Sequence, residues 1–187
     1  SKIINKKEFW SLDFYVNNHV LDPRPSSEFL IQTIKEYFTD IQSNIKICDL
    51  GTGSGCLAIT LATIYKNSKI TATDISNDAL KIAKKNAKKH NVEKQIKFIN
   101  CDWFSKNEKF DLVVSNPPYL TFDEYNKSNI NIKNFEPKIA LIGGHDGLKS
   151  YRKISQIICS ILNNNSFLFI EIGASQINDV KNIFLKQ

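Results

Sequence analysis

From Ile45 onward the chain alternates between short apolar runs and longer segments with a helical repeat of apolar positions. The runs are Ile45 to Leu50, Lys69 to Thr73, Gln95 to Ile99, Phe110 to Ser115 and Phe167 to Ile172. Phe110 to Ser115 in particular is a short apolar run rich in β-branched residues, the signature of a strand covered on both faces. Helices are predicted from the turn at Gly55 to about Tyr65, from a cap at Ser76 or Asn77 to about His90, and from about Leu148 to Leu162. Strands separated by helices imply βαβ units and a parallel sheet.

One joint is short. Only Asn100 to Lys109 separate the third and fourth strands, too few for a full helix. A doubly wound sheet requires this joint to pass two strands, about three spacings of 4.8 Å or roughly 15 Å. Ten extended residues reach about 33 Å, so the crossing is feasible. The first and fourth strands then become parallel neighbours at a topological switch point, where ligands of open α/β sheets sit.

Ahead of this region, Glu8 to Val16 alternates apolar and polar residues, and Asn17-Asn18 gives a turn signal before His19-Val20-Leu21, which predicts a β-hairpin. Asp22-Pro-Arg-Pro is a rigid bend. Ser26 is placed to cap a helix from Ser27 to Phe38 with Phe29, Leu30, Thr33, Ile34 and Phe38 near one face. Residues 1–40 are expected to pack on a catalytic domain spanning 41–187. Arg24 has two readings, a ligand contact or a surface ion pair. His19, His90 and His145 are isolated and read as loop or surface residues.

The candidate chemistry lies where strands end. After Phe110 to Ser115 comes Asn116-Pro117-Pro118-Tyr119. Two prolines cannot extend the ladder, so the strand stops in a stiff loop that presents an amide, backbone carbonyls and an aromatic ring together. This set suits transfer of a carbon group to a planar NH₂ nitrogen. Asn116 Oδ1 and the Pro117 carbonyl would accept its N–H bonds, while Tyr119 would stack on the flat group and align it. No strong base is needed, because the nitrogen loses its proton after the new bond forms.

The turn Gly51-Thr52-Gly53-Ser54-Gly55 selects the donor. A dinucleotide fingerprint would place its third glycine where Cys56 stands, so this turn differs from it. Its glycines let a ligand lie on the backbone, and the helix start offers N–H groups to a carboxylate. Asp49 is placed to face an ammonium, and Asp74, closing the second strand, to accept two ribose hydroxyls. An amino acid joined to a nucleoside is S-adenosylmethionine. Asp102 would take the adenine amino group; Trp103 either flanks the adenine ring or packs in the core.

Composition adds boundaries. At 187 residues and 42% hydrophobic, the chain suits one good core. No apolar run approaches transmembrane length, and the start does not read as a signal peptide. Cys48, Cys56, Cys101 and Cys159 are scattered without a CxxC, which predicts buried thiols in a reducing cytoplasm and no metal site. The net charge of +6 owes much to Lys81, Lys84, Lys85, Lys88 and Lys89, which read as one solvated helix face. The absence of methionine, initiator included, marks the chain as a fragment or a processed form.

The stretches DLGTGSGCLAI, ATDIS around Asp74, CDWF around Asp102, SNPPY, and EPKIALIGGHDGL from Glu136 to Leu148 together resemble the HemK/PrmC family. These are the class I S-adenosylmethionine-dependent methyltransferases that modify the glutamine side-chain nitrogen in the GGQ loop of peptide-chain release factors. The resemblance implies a Rossmann-like doubly wound fold, with cofactor held by Gly51 to Gly55, Asp74 and Trp103 and the glutamine amide held by Asn116 to Tyr119. It also implies a release factor as partner, with nucleic acid contacted only indirectly. The family's N-terminal helical domain and its closing antiparallel strand pair are not expected in this chain, which stops at Gln187. Ser26 and Ser27 replace acidic or threonine residues that usually follow Pro-Arg-Pro. Two other functions stand beside this one: methylation of an adenine or cytosine amino group in nucleic acid, with Tyr119 stacking on a flipped base, and a non-catalytic cofactor-binding module.

Overall fold

The computed structural model describes residues 4–104 and 108–186. Strands β1 (Lys6–Phe9) and β2 (Leu12–Tyr15) form an antiparallel hairpin. Its turn is Trp10-Ser11, both with positive φ, and not the predicted Asn17-Asn18. A two-residue hairpin loop needs left-handed residues to match strand twist, and here the flanking pairing forces a Trp-Ser pair into that shape.

Helix α1 (Pro25–Tyr37) begins one residue earlier than the proposed cap. Pro25 occupies the first turn, where its fixed φ suits a helix and its missing N–H costs nothing. Arg24 is the N-cap residue and Ser26 caps nothing. The buried face is Ser27, Ile31 and Ile34, whereas Phe29 is 71% exposed, so the predicted face is rotated.

The main sheet contains β3 (Lys46–Leu50), β4 (Lys69–Asp74), β5 (Ile96–Asn100), β6 (Phe110–Ser115) and β7 (Leu162–Ile170), in the order β5-β4-β3-β6-β7. Every pairing in it is parallel. The expected adjacency of β3 and β6 is therefore realised, although residues 105–107 of the crossing lie outside the described residues.

Helices α2 (Cys56–Ile64) and α3 (Asn77–Lys89) follow β3 and β4. Ser76 caps α3 by accepting the N–H of Ala79. Helix α2 is buried from Leu57 through Ala62 because the sheet lies on one side and the N-terminal elements press on it from another. Phe9, Phe14, Val20, Ile31 and Ile34 share one apolar cluster with Ile59 of α2 and with Ile47 and Leu112 of the sheet. Burying each such side chain contributes about 1.5–3 kcal/mol, enough to fix the hairpin and α1 against the sheet.

Between β6 and the next long helix, α4 (Phe122–Lys127) and α5 (Ile130–Phe135) are short, and a single 3₁₀ turn covers Lys138–Ala140. Helix α6 (Lys149–Ile161) leads into β7, and α7 (Ile177–Phe184) follows it. Among the described residues no helix is long and apolar enough to cross a membrane.

Candidate active site

The β3–β6 register pairs Asp49 with Val114, so the residues leaving each strand, Gly51 and Asn116, emerge side by side. Ser115 Oγ donates to the Leu50 carbonyl at 2.7 Å and ties the two exits together. A cavity opens there, walled by Gly51 to Ser54, Asp74, Trp103 and Asn116 among others.

The glycine turn is held from inside the protein. Gly51 and Thr52 N–H donate to the Thr73 carbonyl, and Gly55 N–H donates to Thr52. Gly53 N–H donates to Asp74 Oδ2 at 2.8 Å. The sharp turn folds back on β4 and uses most of its own N–H groups, while at the start of α2 the Ala58 N–H is taken by Asp49. Gly53 has φ of +54°, and a Cβ there would meet nothing within 4 Å. Conformation, not packing, demands glycine at this position, and its outer side faces open space.

Asp49 does not face the cavity as expected. It is 1% exposed, with Oδ2 accepting from Thr52 Oγ1 at 2.6 Å and from the Ala58 N–H at 3.2 Å. Burial pushes its carboxyl up to about 7, with those two donors opposing the rise. Its Oδ1 is buried without a partner among the described residues. The strand delivers this side chain inward, beneath the turn, because successive residues point to opposite faces and the helix start draws the carboxylate under itself.

Asp74 stands at the cavity wall, half-buried, with Oδ2 on Gly53 and Oδ1 accepting the Ser76 N–H at 2.8 Å. Burial raises its carboxyl above the ordinary value while the two N–H groups hold it down. Each oxygen keeps lone-pair capacity for a hydroxyl donor. Asp102 is exposed and ion-paired to Lys153 from α6, so it is engaged before any ligand arrives. Trp103 has a positive φ and turns its ring toward Gly51. It lines the cavity and also packs against the cluster of Leu50 and Phe104.

Asn116 and Pro118 line the cavity. Pro117 and Tyr119 are not on its wall; Tyr119 packs toward Leu148, Tyr151 and Val180. Burial raises the Tyr119 phenol, as does the negative charge of the neighbouring Glu171. Two of the loop's carbonyls are occupied, contrary to expectation: Pro118 accepts from Ser150 Oγ at 3.0 Å and Tyr119 from Gln176 Nε2 at 3.0 Å. The Pro117 carbonyl and Asn116 Oδ1 accept no hydrogen bond within the described residues.

The GGHDG segment braces this loop. Gly143 N–H donates to the Leu120 carbonyl, and a Cβ on Gly143 would come within 2.6 Å of the Pro118 oxygen. Arg24 pairs at 2.5 Å with Glu136, whose side chain is 7% exposed, joining the Pro-Arg-Pro bend to the segment before the 3₁₀ turn, and it also stands on the cavity wall.

Sequence reasoning missed four participants. Ser27 accepts from Asn116 Nδ2 at 2.9 Å, and Glu171, just past β7, accepts from Ser27 Oγ at 2.5 Å. Ser150 and Gln176 hold loop carbonyls. Glu171 had a signal, an acidic residue at the carboxyl end of a sheet strand; Ser27 stood out only as a departure from the residues that usually follow Pro-Arg-Pro, with no role attached to it. The α4 start was also legible, since Thr121 and Glu124 form a capping box.

The arrangement pairs a glycine turn and a carboxylate with two free acceptors on the adjacent strand exit. The model of the methyltransferase small domain family matches residues 18–133. The chain is 40% identical over 185 residues to the release factor glutamine methyltransferase of Clostridium acetobutylicum, covering 97% of this chain and 65% of that protein. It is 40% identical over 210 residues to the bifunctional methyltransferase of Rickettsia bellii, covering 98% of this chain and 38% of that protein. The chain therefore spans less than two thirds of the length of both relatives. In fold it is similar to a methyltransferase from Pyrococcus furiosus, with a TM-score of 0.68 at 19% identity over 99% of this chain and 82% of that one. With more than half of its length matched, the chain belongs to the methyltransferase small domain family.

Proposed function

We propose that this chain transfers a methyl group from S-adenosylmethionine to the side-chain nitrogen of the glutamine in the GGQ loop of a peptide-chain release factor. The observation that carries the reading is the pair of unoccupied acceptors, Asn116 Oδ1 and the Pro117 carbonyl, at the exit of the strand beside the glycine turn. An amide NH₂ has two N–H bonds, and two acceptors would hold both while the nitrogen turns its lone pair toward the donor. The relative from Clostridium acetobutylicum, named for glutamine methylation of release factors, supports the same substrate.

The cofactor supplies an electrophilic methyl on a sulfonium. The residues present suit it: Gly53 leaves open space along the backbone of the turn, Asp74 would accept from ribose hydroxyls, and Trp103 would offer an apolar ring face. Asp49, buried beneath the turn, would bear on the cofactor only through Thr52 and the α2 start that it holds. Asp102 would contact the adenine amino group only with the carboxylate capacity left beside Lys153. Tyr119 would flank the glutamine amide. Pro117 and Pro118 fix the loop by restricting φ. The protein works in the cytoplasm on this reading, where release factors act.

The test is Asn116→Ala. Labelled methyl transfer to the release factor should vanish while calorimetry still detects S-adenosylmethionine binding. Transfer to duplex DNA and not to the release factor would overturn the substrate assignment, and absence of cofactor binding in folded protein would overturn the activity.

A further inference from the structure

An amide such as Asn116 can serve as acceptor only if it is held the right way round. Turned by 180°, it would present NH₂ to the substrate NH₂ and repel it. The structure contains a chain of bonds that fixes the choice. A carboxylate accepts hydrogen bonds and donates none. Glu171 therefore takes the hydroxyl hydrogen of Ser27, at 2.5 Å. With its only hydrogen committed, Ser27 Oγ can do nothing but accept, and what it accepts is Nδ2 of Asn116, at 2.9 Å. Oδ1 is then left on the opposite side.

The chain is built into the fold. Ser27 is 1% exposed in the first turn of α1, and Glu171 sits where β7 ends, its backbone N–H donating to the Ser115 carbonyl next to Asn116. Ser26 Oγ also donates to Glu171, through Oε1 at 3.1 Å.

We propose that Ser27 and Glu171 are positioning residues that set the orientation of the Asn116 amide for acceptance of the substrate NH₂. The inference rests on the proposed role of Asn116 as a substrate acceptor. It also accounts for the serine that follows Pro-Arg-Pro-Ser: any residue there with a donatable hydrogen and a free lone pair would serve, and one without them would not.

Two readouts test it separately. In protein labelled with ¹⁵N-asparagine, the Nδ2 signals of Asn116 are identified by their loss in Asn116→Ala. Ser27→Ala and Glu171→Gln should both shift these signals, and Ser27→Thr should leave them near their original place. In methyl transfer to the release factor, Ser27→Ala and Glu171→Gln should lower kcat by about tenfold to a hundredfold, with KM and cofactor affinity unchanged. Ser27→Thr should restore kcat, and the double variant Ser27→Ala/Glu171→Gln should be no worse than the weaker single one. Unmoved amide signals in both single variants, or full kcat in either one, would overturn the proposal. If the unaltered protein binds cofactor but leaves release factor unmethylated, the substrate reading falls by itself, and the amide signals alone then decide the orientation.

Discussion

Asp74 Oδ2 accepts the backbone N–H of Gly53 at 2.8 Å, so the carboxylate at the end of one strand shapes the glycine turn at the end of its neighbour. Its other oxygen holds Ser76, the cap of α3. The side chain proposed to receive ribose hydroxyls is at the same time a structural strut.

Asp74→Asn is therefore expected to be nearly as damaging as Asp74→Ala. An amide has one oxygen and cannot accept at both positions, and its NH₂ would oppose one of the two N–H groups. Losing a single hydrogen bond to a charged group costs about 1.5 kcal/mol or more, which is at least about tenfold in affinity. Calorimetric titration of S-adenosylmethionine into both variants checks this; an Asp74→Asn variant with unaltered affinity would contradict it.

A second expectation concerns pH. The Asp49 carboxyl is raised from its ordinary 3.8 to about 7 by burial. Between these values the folded chain holds a proton that the unfolded chain has released, so ionisation opposes folding. The contribution of this group to stability is full below about pH 4 and is lost as pH rises through about 7. Urea unfolding midpoints across this range should fall with pH more steeply in the unaltered protein than in Asp49→Asn, and equal slopes in the two would refute the assignment.

Gly143→Ala should act at a distance. The new Cβ would lie 2.6 Å from the carbonyl oxygens of both Pro118 and Gly147, and backbone atoms cannot swing aside as a flexible side chain would. Stability should drop by about 1–3 kcal/mol. Displacement of the Asn116 loop should reduce methyl transfer by about a hundredfold, since errors of about 1 Å at a reacting group have that effect. Thermal unfolding and a labelled-methyl assay on the same preparation separate the two effects.

Much of this molecule was legible because its central strands β3, β4 and β6 are buried on both faces. Phe110 to Ser115 was read to the residue, since an uninterrupted apolar run that stops at Asn-Pro-Pro has one interpretation. The β3–β6 adjacency followed from chain reach alone. What was not legible depends on contacts distant in sequence. The hairpin turn at Trp10-Ser11 carries no turn signature and is imposed by pairing on either side. The inward fate of Asp49 is decided by α2 closing over it, and the role of Ser27 by residues 89 and 144 positions away. The small helices α4 and α5 were passed over because neither has a repeat long enough to register, although the Thr121 to Glu124 box marked the first.

Asn86 is 0% exposed in α3. Its Oδ1 accepts from Tyr15 N–H at 2.7 Å, and its Nδ2 donates to the carbonyls of Tyr15 and Ser54. One amide thereby spans three parts of the chain: the hairpin's second strand, α3 and the glycine turn. Detaching the hairpin would strand a polar group in the interior, at a cost of about 1–3 kcal/mol. Any molecule that settles the Gly51 to Gly55 backbone must also stiffen the hairpin through this splice, and by reciprocity a loosened hairpin must weaken the grip of the turn.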